Sequence, residues 1–102
     1  MADTKHDREA KQLAKKLGAE YNPGKGVDII TPEVVIEYEA ELEGLGDGIR
    51  QLQGYKKRRY LGVSPRLVEK AIARTKKTKV GVITPNGTIR KPAGRPKRGK
   101  KR

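Results

Sequence analysis

The stretch "PEVVIEYEAELEG", residues 32–44, carries glutamates at positions 33, 37, 39, 41 and 43, with apolar Val34, Ile36, Tyr38, Ala40 and Leu42 between them. Carboxylates are hard oxygen ligands. Two or three that converge repel one another unless a cation lies between them, and Mg²⁺ or Mn²⁺ is held by one or two carboxylates plus waters. On a strand, Glu37 and Glu39 project from the same side, about 6.5–7 Å apart. Asp28 lies on the preceding apolar run "VDII" (27–30). A turn at "TPE" (31–33) between two antiparallel strands would carry Asp28 to that pair. A divalent ion held there can activate water and stabilise charge on a phosphate. Taken alone, a Glu-x-Glu pair reads more simply as an exposed strand face. Other chemistries find no footing. There is no Cys, and His6 has no second His to join it, which gives it no metal role. No Ser-His-Asp set is present, and "NPGKGVD" lacks the spacing and following helix of a phosphate-binding loop.

The elements that must position these acids follow from periodicity. Residues 5–17 read as a helix with Ala10, Leu13, Ala14 and Leu17 on one stripe, capped by Asp3 or Thr4 and closed by Gly18. Residues 27–30 are of strand type. A helix through 33–43 would stack like charges at i, i+4, which is unfavourable. The β-branched Val34, Val35 and Ile36 and the period-two alternation predict a strand over 33–40. After "GLGDG" come a short helix over 48–57 and a strand over 59–63. Ser64-Pro65 then caps a helix carrying Leu67, Val68, Ala71 and Ile72. "KVGVIT-PNG-TIRK" reads as a hairpin, since Asn-Gly favours positive φ. The whole predicts a small α/β domain over 1–90, with a central mixed sheet flanked by helices in the order α-β-β-α-β-α-β-β, followed by a disordered basic tail over 91–102.

Charge bounds the partner. Of 102 residues, 25 are Lys or Arg and 12 are Asp or Glu, a net +13. The last twelve residues hold seven bases and no acid; residues 33–47 hold six acids and no base. A basic body with a basic tail implies a polyanion, nucleic acid above all. In "YKKRRY" (55–60), Lys56, Lys57, Arg58 and Arg59 can contact phosphates, and a flanking tyrosine can stack on a base. The other reading is a solvated loop whose tyrosines face the core. Lys76 and Lys77 can contact DNA or simply suit a helix C-terminus. No apolar run reaches the ~18 residues of a membrane span and no signal peptide is evident. The expectation is a soluble protein without a membrane partner, cytoplasmic and nucleoid-associated, or nuclear in a eukaryote.

"GVDI" followed by "VVIEYEA" resembles the core of the PD-(D/E)xK nuclease superfamily: an apolar strand with Asp, then an apolar strand with Glu-x-Lys. Asp28 matches the Asp and Glu37 the Glu. Glu9, in "REA", resembles the glutamate these nucleases often carry on the first helix. "QLQGY" looks like the Gln-x-x-x-Tyr motif of the RecB-like and Holliday junction resolvase-like branch, matched by Gln51 and Tyr55. The resemblance spans about residues 5–91. It implies a restriction-endonuclease-like fold, Mg²⁺ or Mn²⁺ on Asp28 and Glu37 with Glu9 as a further ligand, DNA hydrolysis, Gln51 and Tyr55 shaping the site, and often a homodimer. Glu39 stands in the position of the motif Lys, with Lys25 or Lys56 as replacements by sequence proximity. That departure leaves a catalytically inactive, nuclease-fold DNA-binding protein as the alternative, beside a basic nucleic-acid-packaging protein. In the tail, Gly94-Arg95-Pro96-Lys97 resembles half an AT-hook, with Ala93 where its first Arg would be. This adds Arg95, Lys97 and Arg98 to the candidate DNA contacts.

Overall fold

The computed structural model describes residues 4–22 and 27–94. Along the chain run α1 (Lys5–Lys16), β1 (Ile29–Ile30), β2 (Val34–Glu39), α2 (Leu45–Leu52), β3 (Arg58–Val63), α3 (Val68–Thr75), β4 (Gly81–Ile83) and β5 (Ile89–Lys91). The five strands form one mixed sheet in the order β1-β2-β3-β4-β5. β1 and β2 are antiparallel, β2, β3 and β4 are mutually parallel, and β5 returns antiparallel to β4. The parallel pairs are bridged by α2 and α3, as crossover connections require.

Period-two alternation on β2 decides which face each side chain takes. Val35 packs with Leu45 and Leu52 of α2, Leu61 and Val63 of β3, and Val68 and Ala71 of α3. Ile36 and Tyr38 pack on the other face with Ala10, Leu13 and Ala14 of α1. The ring of Tyr38, fully buried, lies over Gly62, its register partner on β3. A Cβ at Gly62 would stand 2.6 Å from that ring, so only glycine admits the tyrosine there.

Several local expectations meet the chain's real solutions. Thr4 caps α1 by accepting from the Asp7 amide. Gly18 follows the helix at φ +67°, a left-handed C-terminal position. The opening stretch is a strand over Val34–Glu39. The second helix starts three residues earlier than predicted and stops at Leu52. The hairpin turn puts Gly87 alone at positive φ, +86°. With Thr84 N donating to Thr88 O, the loop holds three residues, and Asn86 keeps a negative φ while its Oδ1 accepts from Thr84 Oγ1. Ser64 makes no cap bond; a 3₁₀ turn over Pro65–Leu67 leads into α3 instead. β5 runs through Lys91, whose ammonium reaches the carbonyls of Thr75, Thr78 and Val80, and Gly94 N donates to Lys79 O at 2.7 Å. The packed body therefore extends past residue 90. No helix among the described residues is long and apolar enough to cross a membrane.

Candidate functional site

β1 is two residues long, and this shortness builds the site. Ile29 faces Ile36 and Ile30 faces Val35; continued one step, the register sets Asp28 opposite Glu37. Beyond Ile36 the outer edge of β2 has no strand partner, yet its buried backbone groups must be bonded. Tyr38 N–H donates to Asp28 Oδ2 at 2.8 Å, and the His6 ring nitrogen Nε2 donates to Tyr38 O at 2.7 Å. A carboxylate and an imidazole thus replace the missing strand. His6 Nε2 also stands 3.5 Å from Asp28 Oδ2, the distance of an ion pair. Tyr21 extends the edge: its backbone bridges to Ile29, and its hydroxyl donates to Asp7 at 2.7 Å and lies 3.3 Å from His6 Nδ1.

Glu37 and Glu39 project on the α2 side of the sheet. Glu37 is buried, 6% exposed, and Gln51 of α2 donates to its Oε2 at 3.1 Å. Its Oε1 is buried with no hydrogen-bond partner. Burial, then the charges of Asp28 and Glu39, push the Glu37 carboxyl up to about 8, against the opposing pull of the Asp28 amide and His6. Burial also raises Glu39, to about 7, with His6 opposing, Asp28 adding to the rise, and a hydrogen bond with the Glu37 carboxyl, which as the protonated partner can donate, pulling the other way. The Glu39 side chain lies against Gly44 and Gly48 of the α2 entry, where a Cβ would collide with it. His6 moves the opposite way in charge: its bond to Asp28 holds the imidazolium up to about 9 despite burial. Near neutral pH the cluster therefore combines a cationic His6 with a Glu37 that keeps its proton. Crowded carboxylates that hold protons are poised to exchange them for a metal ion. Among the described residues, no group of three or more His, Cys, Asp or Glu is already disposed as a metal cage.

The other expected residues separate from this cluster. Glu9 lies on the α1 face, where it accepts from Tyr38 OH at 2.8 Å and from Ser64 Oγ. The hydroxyl expected to cap a helix is thus committed to Glu9. Tyr55 is half-buried against the α2–α3 core, and Tyr60 is buried on the α1 side. Both tyrosines of "YKKRRY" face inward, the alternative reading of that segment. Arg59 is buried and donates to Gln53 Oε1 at 3.3 Å; Lys57 donates to Thr31 O at 2.8 Å. Lys56, Arg58, Lys76 and Lys77 are exposed. Arg58 pairs in register with Val34, so Lys56 sits at the far end of β2 from Glu39. Lys25, Arg95, Lys97 and Arg98 lie outside the described residues.

His6 is the residue sequence reasoning passed over. Its only signal was a place on the first turn of an amphipathic helix, and its partner is 32 residues away. No family model, curated protein or solved structure matches the chain.

Proposed function

We propose that this protein is a nuclease-like DNA-binding protein in which Asp28 and Glu37 hold a Mg²⁺ or Mn²⁺ ion for phosphodiester hydrolysis. The observation that carries the reading is the crowding of acids at Glu37: it is buried, its Oε1 receives no protein donor, the β1–β2 register continued one step sets it opposite Asp28, and Glu39 lies within its reach. Leaving such an atom unsatisfied costs roughly 1–3 kcal/mol, more for a charged group, and a cation would remove that penalty. Two carboxylates with the remaining positions left to water suit Mg²⁺, which retains much of its hydration. The bound ion would supply Lewis-acid polarisation of a phosphoryl oxygen and a more acidic water. Gln51 fixes the Glu37 carboxylate, and the Asp28 carboxylate is oriented by Tyr38 N–H and His6. A small α/β domain with a mixed sheet is the coarse architecture that the resemblance to the PD-(D/E)xK superfamily implies.

Incubation of supercoiled plasmid with Mg²⁺ or Mn²⁺ tests this. Wild type is expected to nick it, and Asp28→Ala, which removes a ligand outright, is expected to lose at least the ~10–100-fold that losing only a ligand's orienting partner costs. Intact plasmid with wild type removes hydrolysis and leaves a DNA-binding relative of the fold. One observation favours that second reading: Glu39 occupies the motif-lysine position and is wedged against Gly44 and Gly48 rather than offering a cation.

A further inference from the structure

Four exposed cations, Arg66, Lys70, Arg74 and Lys77, follow one another at steps of four, four and three residues. That is the spacing of a single helix face, and α3 with its flanking turns supplies the helix. Glu69, exposed and three residues after Arg66, flanks the row, and no acid occupies its four positions. Folding alone does not account for it. Like charges at i, i+4 are unfavourable, and Arg66 and Lys70 sit toward the N-terminal half of the helix, where the dipole disfavours cations. The row is also aimed. Arg66 Nη2 donates to Ala40 O at 3.2 Å, the residue directly after Glu39. The Arg74 guanidinium stands 4.0 Å from where a Gly46 Cβ would be, over the first turn of α2. The opposite face of that turn holds the Glu39 side chain, against Gly44 and Gly48.

We propose that this ridge on α3 is a track for the phosphodiester backbone of DNA, running past α2 toward the Asp28–Glu37 site. The identity of the polyanion rests on the function proposed above; the ridge itself rests on its geometry. From Arg66 to Lys77 it is about 17 Å long at the helical rise, and neighbouring cations stand roughly 6 Å apart. A B-form strand rises about 3.4 Å per phosphate but winds around its axis as it does so, so the straight ridge meets a few phosphates of one strand. Glu41, which accepts from Arg66 at 3.3 Å on the surface, is a displaceable partner, since such exposed pairs contribute little.

The test compares two charge-matched double variants of the full chain, binding a labelled short DNA duplex in EDTA so that nothing is cleaved. Lys70→Gln/Arg74→Gln removes two charges from the ridge. Lys15→Gln/Lys16→Gln removes two from α1, on the other side of the sheet, where both are exposed. The ridge variant is expected to bind about tenfold more weakly at moderate salt. Its slope of log K against log salt is expected to be shallower by about 1.8, from two lost phosphate contacts. The α1 variant is expected to change less than twofold. Equal losses from both variants, or none from the ridge, overturn the track in favour of diffuse attraction. Tighter binding by wild type to an RNA duplex of the same sequence overturns DNA as its occupant. Because no cleavage is read, a protein that never nicks plasmid can still confirm the ridge, and an active nuclease can still refute it.

Discussion

Glu9, half-buried, and Glu37, buried, lie on opposite faces of the same strand neighbourhood and have opposite fates. Glu9 meets two hydroxyls, Tyr38 OH and Ser64 Oγ, which convert a carboxylate under α1 into a fastening between helix, β2 and the end of β3. Glu37, one residue from Tyr38, receives the Gln51 side-chain amide on Oε2, has no protein donor on Oε1, and is crowded by the acids Asp28 and Glu39. A fold gains nothing from crowding acids in that way. The contrast marks one carboxylate as a piece of architecture and the other as a group kept for an incoming cation.

The sharpest way to break the contrast is to exchange the two roles in an activity assay. Glu37→Ala is expected to lose plasmid nicking by at least ~10–100-fold, whereas Glu9→Gln, which keeps an acceptor for both hydroxyls, is expected to stay within a few-fold. Equal losses would make Glu9 part of the reacting site. Next in size is stability against pH. The folded Glu37 holds its proton up to about 8 against an ordinary 4.5, so its favourable contribution is complete below about 4.5 and is lost as pH rises toward 8. The His6 contribution is complete below 6.5 and is lost as pH rises toward 9. Both act in the same direction, and the melting temperature is expected to fall between pH 6 and pH 9 by at least roughly 5 °C, the shift that about 1 kcal/mol, less than one pKa unit's worth, produces in a domain this small. Glu37→Gln is expected to flatten the fall, as is Mg²⁺, which competes with the same proton. A curve that Mg²⁺ leaves unchanged would take Glu37 out of the ligand set.

Smaller effects probe the fastening. Tyr38→Phe and Ser64→Ala are each expected to cost about 1 kcal/mol in urea unfolding, the net value of a hydrogen bond with a somewhat larger charged-acceptor range. The double variant is expected to depart from additivity because both bonds end on Glu9. Independent costs would mean that Glu9 reorients to a new partner. The smallest effect belongs to the Asp47–Arg50 pair on α2, exposed on both sides. Arg50→Ala is expected to change stability by under ~0.5 kcal/mol, which sets the background against which the Glu9 and Glu37 effects are read.

Much of the fold was legible because its signals are local. β-branched Val34, Val35 and Ile36 and the alternation that follows gave the strand at the opening stretch, and Ala10, Leu13 and Ala14 gave the stripe of α1. The errors came where a local signal had a distant competitor. Ser64-Pro65 looks like a helix cap, but the hydroxyl finds Glu9, 55 residues earlier. The tyrosines of "YKKRRY" left two readings open, stacking on a base or packing in the core, and distant partners decided for the second: β3 turns Tyr60 into the α1 core and the chain end of α2 draws Tyr55 inward.

The sequence alone determined which acids share a face, because a period of two puts Glu37 and Glu39 on one side of β2 and Tyr38 on the other whatever lies above them. Only the tertiary structure decided what those acids became. Burial beneath α2, the stop of β1 after two residues, and the arrival of His6 from the first helix set the protonation of Glu37 and leave its Oε1 without a partner. Desolvation and charge coupling are properties of neighbours in space, and those neighbours come from chain segments that local patterning does not bring together.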